Sequence, residues 1–309
     1  MRIDILTLFP EMCMSVLSES IIGRARENGC VEINCRNIRD YTLDKHNRVD
    51  DSPYGGGTGM IMQTQPIYDC FKSLCDEIGE RPHLIYMSPQ GKTLTQERVK
   101  ELAQLPNVAL LCGHYEGIDQ RIIDEIVDEE ISIGDYVLTG GELPALIVAD
   151  SISRMLPGVL ANEDAFTLES HYSGLLEHPQ YTRPFEWHGE KVPDVLISGH
   201  HANIQKWQRE QSLKRTFERR PDMLAKAELT KKDKEYLEKI KNSEEGFLGV
   251  FFMPLADDTA FHFVKLTVAD KFNAVIFKIL VSVGVLHKLI FPNSVLPSCG
   301  DAFKLIGFN

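Results

Sequence analysis

Three loop segments of this chain combine glycine, aromatic and polar groups in a way that suits a small-molecule pocket. Residues 86–91, 111–119 and 131–144 each follow or leave an apolar run that is typical of a buried strand, and each contributes a tyrosine. Glycine lets backbone N–H and C=O groups approach a ligand closely, whereas tyrosine offers a flat aromatic face. Such a pocket suits an adenine nucleoside bearing a positive sulfonium, because that ligand needs no basic phosphate clamp.

Two stretches resemble phosphate-binding motifs, and neither completes one. Residues 91–93 resemble the end of a P-loop, but Tyr86 stands where that motif needs its first glycine. Residues 51–60 form a glycine-rich loop, yet Met60 stands where a GxGxxG motif needs its last glycine. The glycines of this loop favour a substrate-contacting role over a simple flexible turn, because they let N–H groups approach a phosphate or a base.

The charge distribution limits how the chain could bind nucleic acid. The net charge of -12 argues against a nonspecific nucleic-acid coat, which needs a cationic face. Residues 206–241, however, hold twelve Lys and Arg against seven Asp and Glu. This local excess indicates either an RNA-binding face or an ordinary solvated helix.

Taken together, these motifs resemble a known family. The three loop segments resemble those of bacterial tRNA (guanosine-37, N1) methyltransferases of the TrmD type. The other segments that carry the resemblance are residues 53–57, 151–154, 174–177 and 178–184. The likeness covers about residues 1 to 243, in order, and does not include the tail after Gly246.

The resemblance implies an α/β fold of the SPOUT type, in which a parallel sheet carries a deep trefoil knot, followed by a small C-terminal helical domain and an unassigned tail. Knots are rare exceptions among protein folds. The resemblance also implies that the three loop segments form the knot and hold S-adenosylmethionine. The residues expected to bind this cofactor are Tyr86, Met87, Ser88, Pro89, Gln90, Gly113, Tyr115, Glu116, Gly117, Ser132, Ile133, Gly134, Tyr136, Val137, Leu138, Gly140, Gly141 and Pro144.

The chemistry of the implied reaction requires a catalytic pair. Methylation of guanosine N1 needs a base for the ring proton and a cation for the charge that shifts onto O6. Arg154 matches the family's catalytic arginine, and Glu169 stands where the family usually has an aspartate as the base. Glutamate has nearly the same intrinsic pKa, about 4.3 against 3.9, but its longer side chain moves the carboxylate outward. Asp50, Glu116 and Glu163 are the rival acids.

The resemblance further implies a homodimer, in which one subunit's cofactor pocket meets the other's linker and helical domain, and a tRNA substrate. The cations of the helical domain are expected to contact phosphates. The residues expected to face the RNA are Asp50, Gly55, Gly56, Gly57, Ser170, Arg183, Lys206, Arg209, Lys214, Arg215, Arg219 and Arg220. No metal-ligand spacing is visible in the sequence, although the resemblance implies a link to Mg²⁺.

A sheet must position these loops. Candidate buried strands are residues 3–8, 31–34, 83–87, 108–112 and 130–133, and their alternation with helix-like stretches predicts a largely parallel α/β sheet. Because ligands bind outside the carboxyl ends of such strands, the three loops are expected to meet there.

Four segments are expected along the chain. They are a cofactor-binding SPOUT domain (1–160), a linker (161–200), a helical tRNA-binding domain (201–246) and an atypical extension (247–309). The helical domain is predicted to begin near His201, and its last helix to begin with a capping-box-like pattern from Thr230 to Asp233.

The extension differs in composition from the rest. It holds ten of the fifteen phenylalanines and no Glu, Arg, Gln, Tyr or Trp. Residues 272–291 are apolar enough to suggest a membrane span, but Lys278 inside it would cost about 2.5 to 3.5 kcal/mol on insertion. An accessory or disordered extension is therefore favoured over a weak membrane anchor, and frameshifted reading is a further alternative.

The remaining features predict a cytoplasmic protein. The N-terminus lacks the pattern of a signal peptide, and the seven cysteines form no CxxC pair and are expected to be reduced. Two rival functions stay open: another SPOUT enzyme, such as a ribose 2′-O-methyltransferase, or a noncatalytic RNA-binding protein that keeps the fold.

Overall fold

The computed structural model describes residues 1–160 and 169–245. The strands are β1 (Arg2–Thr7), β2 (Glu32–Asn37), β3 (Asp50–Asp51), β4 (Ile61–Met62), β5 (His83–Thr93), β6 (Asn107–Cys112), β7 (Glu129–Ser132), β8 (Glu186–Trp187) and β9 (Glu190–Lys191). The helices are α1 (Pro10–Leu17), α2 (Ser20–Glu27), α3 (Thr64–Ile78), α4 (Gln96–Leu102), α5 (Gln120–Ile126), α6 (Glu142–Ser153), α7 (Asp194–Ile197), α8 (His201–Arg219), α9 (Pro221–Leu224) and α10 (Lys231–Glu245), with a 3-10 helix at Ile38–Tyr41.

A parallel sheet of five strands, in the order β2-β1-β6-β5-β7, forms the centre of the fold. The α/β prediction and its five strands are confirmed. The largest difference is in β5, which continues past Met87 to Thr93. Met87 and Lys92 both pair with Ile131, so residues 88–91 bulge out of the ladder beyond the predicted end of the strand at Met87.

Alternating side chains of the central strands supply two separate cores. In β6, Val108 and Leu110 pack on one face together with α1, α2, α4 and α6. Ala109 and Leu111 pack on the other face together with α3 and α5. Because side chains along a strand point to opposite faces in turn, a strand that is apolar throughout must be covered on both sides. The sheet is therefore the middle of three layers.

The chain divides into two compact units, Met1–Glu228 and Leu229–Asn309. The first contains the sheet, the β8–β9 hairpin and helices up to α9, so α8 begins at His201 as predicted. In the second, the predicted capping box is confirmed: Asp233 N donates to Thr230 Oγ1 at 3.2 Å, and Thr230 N donates to Asp233 Oδ2 at 2.9 Å. The four-segment domain division stays a prediction.

None of the helices within residues 1–160 and 169–245 is long and apolar enough to cross a membrane. The apolar run at 272–291 and the whole extension 247–309 lie outside the described residues, as does the rival acid Glu163.

Candidate functional site

A cleft opens at the carboxyl ends of β5, β6 and β7, where the three loop segments meet. Its cavity volume is about 150 Å³, and the cleft is partly open to solvent. The residues that line it are Tyr86, Met87, Ser88, Pro89, Gly113, His114, Tyr115, Glu116, Gly117, Ile131, Ser132, Ile133, Tyr136, Val137, Leu138, Thr139, Gly140, Gly141 and Pro144.

Most of the predicted cofactor residues are therefore brought together. The two exceptions are Gln90, which lies in the exposed bulge of β5, and Gly134, which lies against the ring of Tyr136. The sequence reasoning missed His114, Ile131 and Thr139. All three stand inside the loop segments that had been singled out, so the neighbouring residues of each segment were the signal that could have identified them.

Glycines allow the loops to pack this closely. Gly141 N donates to Gly113 O at 2.8 Å, and a Cβ on Gly141 would lie 2.7 Å from Cys112 Cα. A Cβ on Gly113 would lie 2.8 Å from the hydroxyl oxygen of Tyr86. The contact at Gly141 is with backbone that cannot move aside, so the loop after β7 can approach the loop after β6 this closely only because position 141 lacks a side chain.

The lining is aromatic, polar and weakly acidic. Burial raises the pKa of the Tyr86 hydroxyl, so this group stays a neutral hydrogen-bonding partner. Tyr115 has a positive φ of 59°, and its hydroxyl accepts a hydrogen bond from Arg39 at 3.2 Å. Glu116 is the carboxylate of the cleft, and the described lining residues include no lysine or arginine. The cleft is therefore suited to a ligand with positive rather than negative charge.

A buried polar group lies behind the cleft. The Glu142 carboxylate is 3% exposed and accepts a hydrogen bond from the Thr7 hydroxyl at 2.8 Å. A Cβ on Gly140 would lie 2.8 Å from His114 Nδ1, a buried atom without a hydrogen-bond partner in the described part of the chain. The end of β1 and the start of α6 are thus joined by a buried hydrogen bond, and His114 packs against Gly140.

The glycine-rich loop connects β3 to β4 and is attached to the cleft at one end. Gly55 and Gly56 have φ values of 88° and 80° with open space around them, so glycine is needed there for backbone conformation. Past the loop, Glu116 N donates to Met60 O at 3.0 Å, and Met62 N donates to Gly117 O at 3.0 Å. The loop that lines the cleft and the glycine-rich loop therefore share a backbone hydrogen-bond ladder.

Arg154 and Glu169 form a two-fold hydrogen-bonded ion pair. Arg154 Nη1 donates to Glu169 Oε2 at 2.8 Å, and Nη2 donates to Oε1 at 3.0 Å. Both side chains are about one-third exposed, and the hydrogen bond with Glu169 raises the pKa of Arg154. Neither residue lines the cleft of its own chain. The predicted catalytic partners are thus adjacent to each other and apart from the predicted cofactor residues.

The predicted RNA-facing residues lie in three places. Asp50 is in β3 beside the glycine-rich loop, and Arg183 is exposed at a cis peptide bond with Pro184. Ser170 is exposed, and its hydroxyl accepts a hydrogen bond from Glu177 N at 3.0 Å. The predicted cations, all on or directly after α8, are Lys206, Arg209, Lys214, Arg215, Arg219 and Arg220.

The cations of α8 differ in how firmly they are held. Lys206 and Lys214 lie 3.8 Å from glutamates one turn further along the helix, and these weak pairs leave both ammonium groups available. Arg220 pairs more closely with Asp222, at 2.6 Å. Arg215 donates to the backbone carbonyl of residue 177 at 3.1 Å, which gives it a structural contact as well.

Comparison with known proteins identifies the family. The profile of the family described as tRNA (Guanine-1)-methyltransferase TrmD matches residues 1–226. A protein of Ruminiclostridium cellulolyticum named tRNA (guanine-N(1)-)-methyltransferase is 61% identical over 226 residues, which are 73% of this chain and 97% of that protein. A protein of the same name from Alkaliphilus oremlandii is 55% identical over 249 residues, 79% of this chain and all of that protein. The chain belongs to the TrmD family of tRNA (guanine-1)-methyltransferases.

Proposed function

We propose that this protein transfers the methyl group of S-adenosylmethionine to N1 of a guanine in tRNA, at the guanosine in position 37 next to the anticodon. Family membership supports the reaction. The observation that carries the proposal is the combination of a cation-free cleft with an arginine and a carboxylate paired outside it. These parts correspond to the two requirements of the reaction, a site for a sulfonium donor and an acid–base pair for guanine.

The residues of the cleft fit S-adenosylmethionine. When bound, this cofactor supplies an electrophilic methyl group on a positively charged sulfur. The tyrosine faces and the Glu116 carboxylate favour a positive charge, whereas the glycine backbone leaves peptide groups free to bind the adenine and the ribose. The trefoil knot that the family resemblance implies is part of this proposal, and the tight packing of Gly141 against Cys112 supports it.

Arg154 and Glu169 act on the guanine. Its N1 carries a proton at neutral pH, so N1 becomes a nucleophile only as that proton leaves. Glu169 accepts the proton, while Arg154 donates to O6, where negative charge builds up. The new bond joins N1 to the methyl carbon, the bond from that carbon to sulfur breaks, and its electron pair stays on the sulfur. Arg154 fills one acceptor site on each oxygen of Glu169, so the carboxylate keeps acceptor sites for the guanine N1–H.

A homodimer completes the site. The base and the arginine do not line the cleft of their own chain, so a second copy is needed to bring a cleft to them. A suitable surface exists on α1 and α6, where Met12, Val16, Leu143 and Ile147 are each more than 40% exposed. Four large apolar side chains on two neighbouring helices are typical of a protein interface. We infer that two copies pair through this face.

The other parts of the chain then have assignable roles. Asp50, the glycine-rich loop, Ser170 and Arg183 face the RNA near the target base, and the cations of α8 hold the backbone phosphates. The target base lies in a loop, where an unstacked guanine can enter a pocket. The linker and helical segments of the four-segment division serve this RNA contact, and the reaction takes place in the cytoplasm, where the tRNA substrate is found.

The described side chains do not by themselves form a preformed magnesium site. No group of three or more His, Cys, Asp or Glu residues lies together within residues 1–160 and 169–245. Magnesium is more often held by one or two carboxylates together with substrate oxygens and water, and the described residues alone do not define such a site. We therefore assign no step of the reaction to a metal ion.

The decisive experiment is transfer of labelled methyl from S-adenosylmethionine to an unmodified tRNA transcript with guanosine at position 37. Digestion to nucleosides should yield labelled 1-methylguanosine, and a transcript with adenosine at this position should stay unlabelled. Label in a ribose 2′-O-methyl group would instead support another SPOUT enzyme. Binding of tRNA without any label would support a noncatalytic RNA-binding protein.

A further inference from the structure

Three aromatic side chains are exposed on a short stretch that the proposed reaction does not use. Tyr181, Phe185 and Trp187 are 49%, 45% and 66% exposed. The ring of Tyr181 lies beside the ring of Trp207 in α8, with 6.3 Å between the ring centres. Trp187 is the most exposed of the three, although tryptophan gains more from burial than almost any other side chain. Such an exposed cluster indicates a binding surface.

The structure holds Trp187 firmly in this exposed position. It lies in β8 at the end of a hairpin, where it pairs with Glu190 of β9. The two residues of the turn, His188 and Gly189, have φ values of 51° and 87°, the positive values of a tight type I′ turn. At the base of the hairpin, Val192 N donates to Phe185 O at 2.9 Å. A partner that binds Trp187 would therefore lose little entropy in ordering it.

The surroundings of Trp187 suit a flat, uncharged partner. The His188 ring meets the indole edge-on, with ring centres 4.3 Å apart and an interplanar angle of 75°, which fixes the indole and leaves most of it open. The hairpin has no cationic excess, because Lys191 lies 3.7 Å from Glu186 and Glu190 adds a further negative charge. A phosphate clamp is therefore absent from this hairpin, whereas stacking needs only an open aromatic face.

We propose that Trp187 is a stacking platform for an unpaired base of the tRNA, separate from the base that is methylated. This inference rests on the proposed function, because it takes tRNA as the substrate. Proteins recognise single-stranded RNA loops by stacking splayed bases on aromatic side chains. Stacking on Trp187 adds tRNA affinity that does not depend on phosphate contacts. The cations of α8 supply the phosphate-dependent part of the affinity. A second copy of this chain is the competing occupant.

Fluorescence can test the stacking directly, since the full chain contains two tryptophans. In Trp207→Phe, the emission comes from Trp187 alone and should be quenched as unmodified tRNA transcript is added to the full-length protein with S-adenosylhomocysteine. The reciprocal variant Trp187→Phe corrects for absorption by the RNA. If tRNA binds to Trp207→Phe while the emission of Trp187 stays unchanged, the platform is excluded.

Binding measurements provide the second test. Trp187→Ala should weaken tRNA binding about 5-fold to 100-fold, and Trp187→Tyr should retain most of the affinity. Ile197→Ala is the matched control, because Ile197 is 61% exposed in nearby α7 but has no aromatic face. The slope of log affinity against log salt should be the same for Trp187→Ala and wild type, because no phosphate contact is removed.

Two outcomes would overturn the platform, and neither can be confused with failure of the proposed function. An unchanged tRNA affinity in Trp187→Ala excludes stacking. Loss of the dimer in Trp187→Ala, seen by light scattering, assigns the hairpin to the second copy instead. Failure of the proposed function would appear in wild type, as absence of methyl transfer to saturating tRNA.

Discussion

Arg154 and Glu169 form an ion pair that the proposed reaction would place against the guanine. Their hydrogen bonds of 2.8 and 3.0 Å satisfy both carboxylate oxygens, and charge-assisted pairs of this geometry are strong. A guanine offers replacements for both partners, since its N1–H can bind the carboxylate and its O6 can accept from the guanidinium. The substrate can therefore open the pair without leaving either charge unpaired.

Glu169→Gln tests the role of the base. The amide cannot accept the N1 proton, so kcat should fall about 100-fold or more, the usual contribution of general base catalysis. The affinity for S-adenosylmethionine, measured by calorimetry, should stay unchanged, because Glu169 does not line the cleft of its own chain. Glu169→Asp is the conservative control and should keep more activity than Glu169→Gln. Near-normal turnover by Glu169→Gln at saturating tRNA would assign the base elsewhere.

Gly141→Ala tests the packing of the cleft. The new Cβ would lie 2.7 Å from Cys112 Cα, a backbone atom that cannot rotate away. The loops must separate, so the affinity for S-adenosylmethionine should fall about 10-fold or more, in line with the cost of overpacking.

Gly29→Ala is the control for Gly141→Ala. A Cβ on Gly29 meets open space at a φ of 72°, so it should lower the melting temperature slightly through backbone strain alone. Its cofactor affinity should equal that of wild type. Equal cofactor affinities in Gly141→Ala and wild type would contradict the steric account.

Most of the loop residues predicted to bind the cofactor lie together around the cleft, but two positions inside these loops differ from the prediction. Gln90 was expected in the cleft from the family resemblance, but it is exposed in the bulge of β5. His114 was missed because a histidine between glycine and tyrosine has no distinctive chemistry until its buried Nδ1 is seen. Whether the lining residues bind the cofactor and whether Glu169 is the base stay predictions.

Among the elements, β1, β2 and α3 are joined by an ion cluster around Glu77. Arg2 of β1 and Arg36 of β2 both donate to the Glu77 carboxylate of α3 at 2.6 Å. The same arginines contact the buried carboxylate of Asp4. The hydrogen bonds from Arg36 and then Arg2 lower the pKa of Glu77 from 4.5 to about 2. The cluster therefore links the helix to the edge strand β2 and to its neighbour β1 through charge.

This lowered pKa predicts a dependence of stability on acid. Because the folded-state pKa lies below the ordinary one, Glu77 contributes stability that is complete above pH 4.5 and is lost as the pH falls towards about 2. The free energy of unfolding, measured by denaturant titration, should fall over this window in wild type. In Glu77→Gln the fall should be smaller.

Glu27→Gln is the control for this measurement, because Glu27 is an exposed acid at the end of α2. The free energy of unfolding of Glu27→Gln should depend on pH in the same way as that of the wild type. Identical pH profiles for Glu77→Gln and wild type would show that the cluster adds no net stability. High salt should reduce the difference in unfolding free energy between wild type and Glu77→Gln, because half of the Glu77 side chain is exposed and its charge is screened.

The sequence predicted the long elements better than the short ones. The five sheet strands have continuous apolar runs because both faces are buried, and this signal is strong. The capping box at Thr230 was found because its hydrogen bonds depend on residues three apart. The pairs β3–β4 and β8–β9 have two residues per strand, too few for any period to appear.

For the whole molecule, the sharpest prediction concerns sharing of the site. Glu169→Gln lacks the base, whereas Gly141→Ala lacks an intact cleft. If each site takes its cleft from one copy and its base from the other, a mixed dimer contains one complete site. Co-refolding the two variants in equal amounts, and assaying them at an S-adenosylmethionine concentration too low to fill the altered cleft, should then restore about a quarter of the wild-type methyl transfer, given random pairing of two copies.

The control mixture distinguishes this arrangement from a site within one chain. Co-refolding Glu169→Gln with Arg154→Ala should restore nothing, because both changes affect the same half of the proposed site. Equal activity of the two mixtures would contradict the shared site. A monomeric wild-type protein with full activity would contradict the dimer itself.

For the whole molecule, the sequence predicted the family but only part of the architecture. The resemblance was placed at about residues 1 to 243, and the family profile matches 1–226. The knot and the dimer came from the resemblance alone, because threading and association leave no local periodicity in a sequence. The extension 247–309 lies outside the described residues.

The two edge strands of the main sheet, β2 and β7, affect how copies of this protein can associate. Within the described residues, β2 and β7 each pair on one side only, and they carry charged or amide side chains such as Glu32, Asn34 and Glu129. Polar residues on a short outer strand discourage the backbone-to-backbone docking that leads to amyloid. Concentrated samples of the folded protein should therefore resist fibril growth. On heating, aggregation should begin only after the helices that cover the sheet have unfolded.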